Sequence, residues 1–229
     1  MLQKIFKIFI PITLLAIILY IGYNEYQKVS QSTENPLSII PTNAAMILQT
    51  NKTSELPYLL ERKEIWNQFI KTGLVNHLDQ NIEFIANIFD TKRKILNNKL
   101  FISLHRTGVY ESGLLFSTSL KEKNQVSKTE IQSLLGKIKQ VQLYDNREII
   151  QLQTNKEHEF FICIIGELIF GSKKKTLVED AIRQYTTPTK LLSEESFRKA
   201  YNTINKNISV NLIYNPKELL RLNSVFITN

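Results

Sequence analysis

Cysteine occurs once in this chain, at Cys163, so no intramolecular disulfide can form and no metal site can be built on thiolates. It stands in Phe160-Phe161-Ile162-Cys163-Ile164-Ile165, where a thiol behaves as a small hydrophobe, and core packing is its expected role. So deep a position also excludes the lipid-modified cysteine that must directly follow a leader. Glycine is scarce, seven in 229 residues, which is few for an enzyme that brings its backbone close to a substrate. No Gly-x-Ser-x-Gly elbow and no HExxH helix occur, and His77, His105 and His158 share no spacing typical of metal ligands. They are expected on the surface or on strand faces. Glu157-His158-Glu159 reads as a solvated turn, and the carboxylates show no paired spacing that would support glycosidase chemistry. Gly166 to Lys173, GELIFGSK, fails as a phosphate loop because Ser172 stands where lysine is required. No catalytic, cofactor or metal residue is assigned.

Basic residues, by contrast, are in excess: 29 Lys and Arg against 21 Asp and Glu give a net charge of +8. They are dispersed through Arg62-Lys63, Lys92-Arg93-Lys94 and Lys173-Lys174-Lys175, a distribution of solvated faces that predicts no nucleic-acid partner. One place is different. Gly171-Ser172 leads into a helix whose first turn holds Lys173, Lys174 and Lys175, and cations there oppose the helix dipole. A helix start that also carries cations can bind an anion, so Ser172, Lys173, Lys174 and Lys175 form the one candidate anion site.

Long apolar runs are confined to the N-terminus. From Ile8 to Tyr23 the chain is uncharged, and counted from Ile5, with Lys7 able to snorkel, it spans roughly 28 Å as a helix, close to the thickness of a bilayer core. Pro11 falls in the first turns, and Tyr20 and Tyr23 sit where an interfacial aromatic belt belongs. Lys4 and Lys7 precede the run while only Glu25 follows it closely, which keeps the N-terminus cytoplasmic and sends the rest to the extracytoplasmic, periplasmic side. A cleaved signal peptide starts in the same way, but Ile, Tyr and Asn stand where cleavage requires small residues. The expectation is therefore a stub and single-pass anchor over residues 1–23 and a polar tether over 24–38. An extracytoplasmic domain over 39–229 follows.

Within that domain, helical periodicity runs over Leu56 to Ile70 and Leu74 to Phe89, the first stripe carrying Tyr58, Trp66 and Phe69 as expected core. Ser127-Lys128-Thr129-Glu130 is a capping-box match ahead of Ile131, Leu134, Leu135 and Ile138. Strands are predicted at 46–49, 100–105, 114–120, 140–144, 148–153, 159–165, 168–171 and 208–214, with Gly166-Glu167 suited to a II′ turn. Helices are predicted around Leu177 to Tyr185, around Phe197 to Ile204 behind Ser193 as N-cap, and after Asn215-Pro216. Strands in antiparallel runs with helices in separate blocks favour an α+β fold, an antiparallel sheet with helices packed on one face. Ala45 to Leu60 and Val210 to Leu222 echo each other, each an apolar strand, a junction with Asn and a Leu-rich helix. Val225 to Asn229 reads as a strand just begun.

The basic start and single anchor, Ile40-Pro41-Thr42-Asn43-Ala44-Ala45 ahead of a strand, Ile65-Trp66, Leu100 to His105, and Phe197 with Asn211-Leu212-Ile213-Tyr214-Asn215 together resemble a bacterial family of membrane-anchored envelope proteins of unknown function. The resemblance covers nearly all of residues 39–229 and carries no catalytic residues. It implies an envelope location and a chain shorter than many members, which hold further repeats or a propeller. The functional expectation is a non-enzymatic binding or scaffold domain with an envelope protein, lipid or glycan partner. An enzyme acting on an envelope polymer and a module for anionic lipid or cell-wall phosphate are the alternatives.

Overall fold

The computed structural model describes Tyr20 and residues 35–51, 99–109, 111–119, 137–153, 159–205 and 208–226. The chain divides into two compact units, Met1–Thr33 and Glu34–Asn229. Among the described residues no helix is long and apolar enough to cross a membrane. The anchor expected over 1–23 lies outside them except for Tyr20, as do the helices expected over 56–89, the capping box at 127–130, His77 and His158.

The second unit is α+β, as predicted. Its described strands are β1 (Met46–Thr50), β2 (Leu100–Arg106), β3 (Ser112–Ser119), β4 (Lys137–Tyr144), β5 (Arg147–Gln153), β6 (Glu159–Ile165), β7 (Leu168–Ser172) and β8 (Val210–Tyr214). They form one sheet in the order β4-β5-β6-β7-β3-β2-β1-β8, every neighbouring pair antiparallel. Among the described residues the helices are α1 (Lys175–Thr186), α2 (Glu195–Asn202) and α3 (Pro216–Phe226). Tight turns make the meander from β4 to β7. Asp145 and Asn146 have φ of 48° and 57°, the pair of left-handed residues that a type I′ hairpin demands. At the next described turn only Gly166 is left-handed, at 55°, which suits the II′ geometry expected there.

Both faces of the sheet are covered, and β2 is buried from Leu100 to His105 without alternation. On one face Leu115, Phe161, Cys163 and Phe170 pack against Val178, Ala181 and Ile182 of α1 and against Ile39. Each of the Leu, Ile, Val and Phe side chains among them contributes on the order of 1.5–3 kcal/mol by leaving water. On the other face Phe116 stacks on Phe160 with centroids 5.6 Å apart. Here the structure departs from the expected one-sided layer. Met46, Leu104 and Leu114 form one cross-strand row on this second face, and Leu222 of α3 packs with Leu104 and Ala45 against that row. Residues alternate sides along a strand, so the row lies opposite Ile47 and Phe101, which pack with Leu37 and Leu191 on the α1 side. Helices therefore occupy both faces.

Other boundaries also move. The folded unit begins ahead of Ile39, because Asn35 Oδ1 accepts the Leu37 N–H and starts a one-turn 3₁₀ helix, Pro36–Ile39, whose Leu37 and Ile39 are buried. Ile138, the last apolar position of the predicted third helix, lies in β4. Ser193 ends a 3₁₀ turn, Leu191–Ser193, and accepts the Lys190 N–H; the residue before α2 is Glu194. Val225 and Phe226 continue α3, which starts as predicted: Asn215 Oδ1 accepts the N–H of Lys217 at 3.1 Å and of Glu218 at 3.4 Å, with Pro216 in the first turn.

Candidate functional site

The predicted anion site is brought together at the junction of β7 and α1, but its charges are largely spent. Ser172 is buried; its hydroxyl donates to the Leu114 carbonyl at 2.6 Å and accepts the Lys174 N–H at 3.0 Å. Lys174 Nζ meets Glu111 at 2.6 Å, and Lys175 pairs with Glu179 one turn along α1 at 3.3 Å. That ion pair holds the Glu111 carboxyl below its ordinary pKa, while partial burial draws the Lys173 ammonium down. Gly171, which suggested a phosphate loop, has a packing reason instead. A Cβ there would lie 2.5 Å from the Phe161 carbonyl oxygen and 2.8 Å from the Phe116 ring.

A constellation not foreseen from the sequence joins Asn43, His105 and Ser103. His105 Nε2 is 2.8 Å from Ser103 Oγ and Nδ1 is 3.2 Å from Asn43 Oδ1. A neutral ring that accepts from the Ser103 hydroxyl and donates from Nδ1 to Asn43 uses both contacts, and the Leu115 carbonyl lies 3.3 Å from the same hydroxyl. Ser, His and amide in series resemble a nucleophile and its base, yet Ser103 and His105 are both 0% exposed. A substrate has no access to that hydroxyl. Burial lowers the His105 pKa to about 3, so the ring is neutral across physiological pH. The network ties the loop before β1 to β2, and Asn43 is its exposed end. Its signal was present in β2, where Ser103 and His105 fall at alternate positions of a strand that is otherwise apolar up to Arg106.

An accessible feature lies nearby. A cleft of about 270 Å³ runs between α2 and the β1–β8 side of the sheet, with Ile47, Phe197, Ala200, Ile213 and Tyr214 among its apolar walls and Glu194 at one side. The short helix α2 creates it. Phe197 and Tyr201, one turn apart, stack at 5.9 Å and rest on the cluster of Leu37, Ile47, Phe101 and Leu191. No residue of α2 is fully buried, so the helix is held along one stripe and the space beside it stays open. The same packing pushes the Tyr201 phenol above its ordinary pKa. Upstream, Lys190 caps α1 by donating from Nζ to the carbonyls of Gln184 and Tyr185, which fixes the turn that delivers α2. Sequence reasoning saw the Phe197 and Tyr201 stripe only as a helix face. Neither the cleft nor the neighbouring β1–β8 pair is local in the chain.

Compared with family models, curated proteins and solved structures, the chain matches none.

Proposed function

We propose that this chain is a binding domain held at a membrane by residues 1–23 and facing the envelope, and that its ligand is taken by the cleft beside α2. The observation that carries the reading is the cleft itself, an apolar trough walled by Ile47, Phe197 and Ile213 with a carboxylate, Glu194, at its border. Such a lining suits an extended segment of an envelope protein, whose side chains enter the trough while its main-chain N–H groups reach Glu194. The anchor rests on the charge-free run from Ile8 to Tyr23 and the basic residues ahead of it. A hydrolase reading is less favoured because Ser103 and His105 are sealed, and an anion-binding reading because Lys174 and Lys175 already hold carboxylates.

A photo-crosslinking residue placed at Ser196, at the start of α2, is expected to give a discrete adduct in cells that express the chain. Filling the trough with Ala200→Trp should remove that adduct, whereas a crosslinker at the distant, exposed Leu143 should not give it. Identical adducts from both positions would reject the cleft. In spheroplasts, added protease should digest the domain, and a spared domain would reject the topology.

A further inference from the structure

We infer that the outer edge of β8 is a self-association surface, on which a second copy of this chain pairs β8 against β8 about a two-fold axis through Leu212. The inference stands apart from the ligand of the cleft and does not require the anchor.

Main-chain parity comes first. Asn51 N–H donates to the Ser209 carbonyl at 3.1 Å and Asn215 N–H to the Ala45 carbonyl at 2.8 Å, which brackets the β1–β8 ladder. Between these bonds the register is unbroken, from Met46 opposite Tyr214 to Thr50 opposite Val210. In an antiparallel ladder the hydrogen-bonded pairs alternate, so Asn211 and Ile213 bond to β1, and the N–H and C=O groups of Val210, Leu212 and Tyr214 point outward. Among the described residues no strand lies beyond β8.

The outward residues suit a copy of themselves. With Leu212 opposite Leu212 of the second copy, Val210 stands opposite Tyr214, and every outward N–H meets an outward C=O. Leu212, 44% exposed, and Tyr214, 61% exposed, then line up with Val210 of the partner as cross-strand apolar pairs on one face. The strand, VNLIY, carries no charge that would repel its like, no proline and no bulge, so the usual defences of an exposed edge are all absent. The chain already contains one such pairing. The units at Ala45 and Val210, each a strand followed by Asn and a Leu-rich segment, pair about the centre Leu48–Leu212, and the N–H of each Asn reaches the carbonyl just before the other strand. A strand of this type accepts its own kind on one edge and presents a second edge of the same character.

The test uses the full chain in detergent. Sedimentation is expected to find a dimer that Leu212→Lys weakens more than tenfold, while Leu143→Lys on the opposite edge leaves it intact. Leu212→Cys should form a disulfide-linked dimer under mild oxidation, a product the wild-type chain cannot give because its sole Cys163 is buried. A monomeric wild type, or a dimer indifferent to Leu212→Lys, overturns the proposal. So does slow amide exchange at Leu212 in a monomer, which would mean that a different strand fills the edge. Should the lysine variant misfold, the cysteine pair decides alone: dimer crosslinking through Leu212→Cys supports the proposal and its absence overturns it.

Discussion

At one end of the sheet β4 carries the exposed Lys139, whose Nζ meets Glu159 at 2.6 Å, and a register shift between Ile138 and Gln140; at the other end β8 is uncharged and regular. The contrast extends inward. From β4 to β7 the strands follow one another in sequence, and the buried side chains, Phe160, Ile162, Cys163 and Phe170 among them, are apolar apart from Gln151 and Ser172. From β3 to β8 only the β2–β3 hairpin is local and the other neighbours come from distant parts of the chain, and Gln49, Thr50, Ser103, His105, Ser117 and Thr118 are buried among them. Lysine and a bulge are devices that keep a strand edge from recruiting another. Where one edge has them and the other does not, the bare edge is the one fitted for contact. The half that holds the polar network also holds the cleft and the bare edge, the two surfaces proposed above for binding.

The seam between the halves is the β7–β3 pair, where Gly171 stands opposite Phe116. Gly171→Val should have the largest effect, a loss of about 3 kcal/mol or more, because the new side chain meets the Phe161 carbonyl as well as the movable Phe116 ring. Urea unfolding followed by tyrosine fluorescence and by thiol labelling of Cys163 checks it. If the halves are one cooperative unit, both probes shift together. Separate transitions would break the comparison into two independent folding units.

Acid should sharpen the comparison. His105 has a folded pKa near 3 against an ordinary 6.5, so below about pH 6.5 the unfolded chain takes up a proton that the folded chain refuses. Stability contributed by the neutral buried ring is complete above the unfolded value and falls as pH drops towards 3, by up to about 1.4 kcal/mol per pH unit from this group. Denaturant midpoints measured from pH 7 to pH 4 test the slope, and His105→Leu should flatten it. Amide exchange should quicken in β1–β3 before β5–β6; the reverse order would place the acid-sensitive element in the meander.

Much of this architecture was legible because its signals are local. The meander follows from short apolar runs and turn residues such as Asp145-Asn146 and Gly166, and β6 was bounded correctly by Glu159 and Ile165. The start of α3 was equally plain in Asn215-Pro216. Pairings across the chain were not: nothing near Met46 announces that β1 lies between β2 and β8, and nothing in Leu222 says which face α3 will cover. Ile138 was assigned to a helix because apolar spacing through Ile131, Leu134 and Leu135 fits a period of 3.6, yet pairing with Leu152 of β5 makes it a strand residue. The anion cluster was found as a motif, but Glu111, which neutralises Lys174, approaches from the β2–β3 loop and was invisible to spacing. The same is true of Asn43, which reaches His105 across 62 positions.

The smallest effect on stability tests the edge argument from its other side. Lys139 and Glu159 are about half exposed, so their ion pair is screened by water and Lys139→Ile should change the unfolding free energy by no more than about 0.5–1 kcal/mol. Its effect on association should be far larger than that. Val141 and Leu143 are already exposed along β4, at 45% and 76%, and isoleucine at 139 would extend them into one apolar row along the strand. In the Leu212→Lys background, where the β8 edge is closed, Lys139→Ile should restore concentration-dependent assembly, read by light scattering. A double variant that stays monomeric would mean that the register shift at Ile138 and Gln140 defends β4 without the lysine, because a bulge turns outward groups away from any incoming strand.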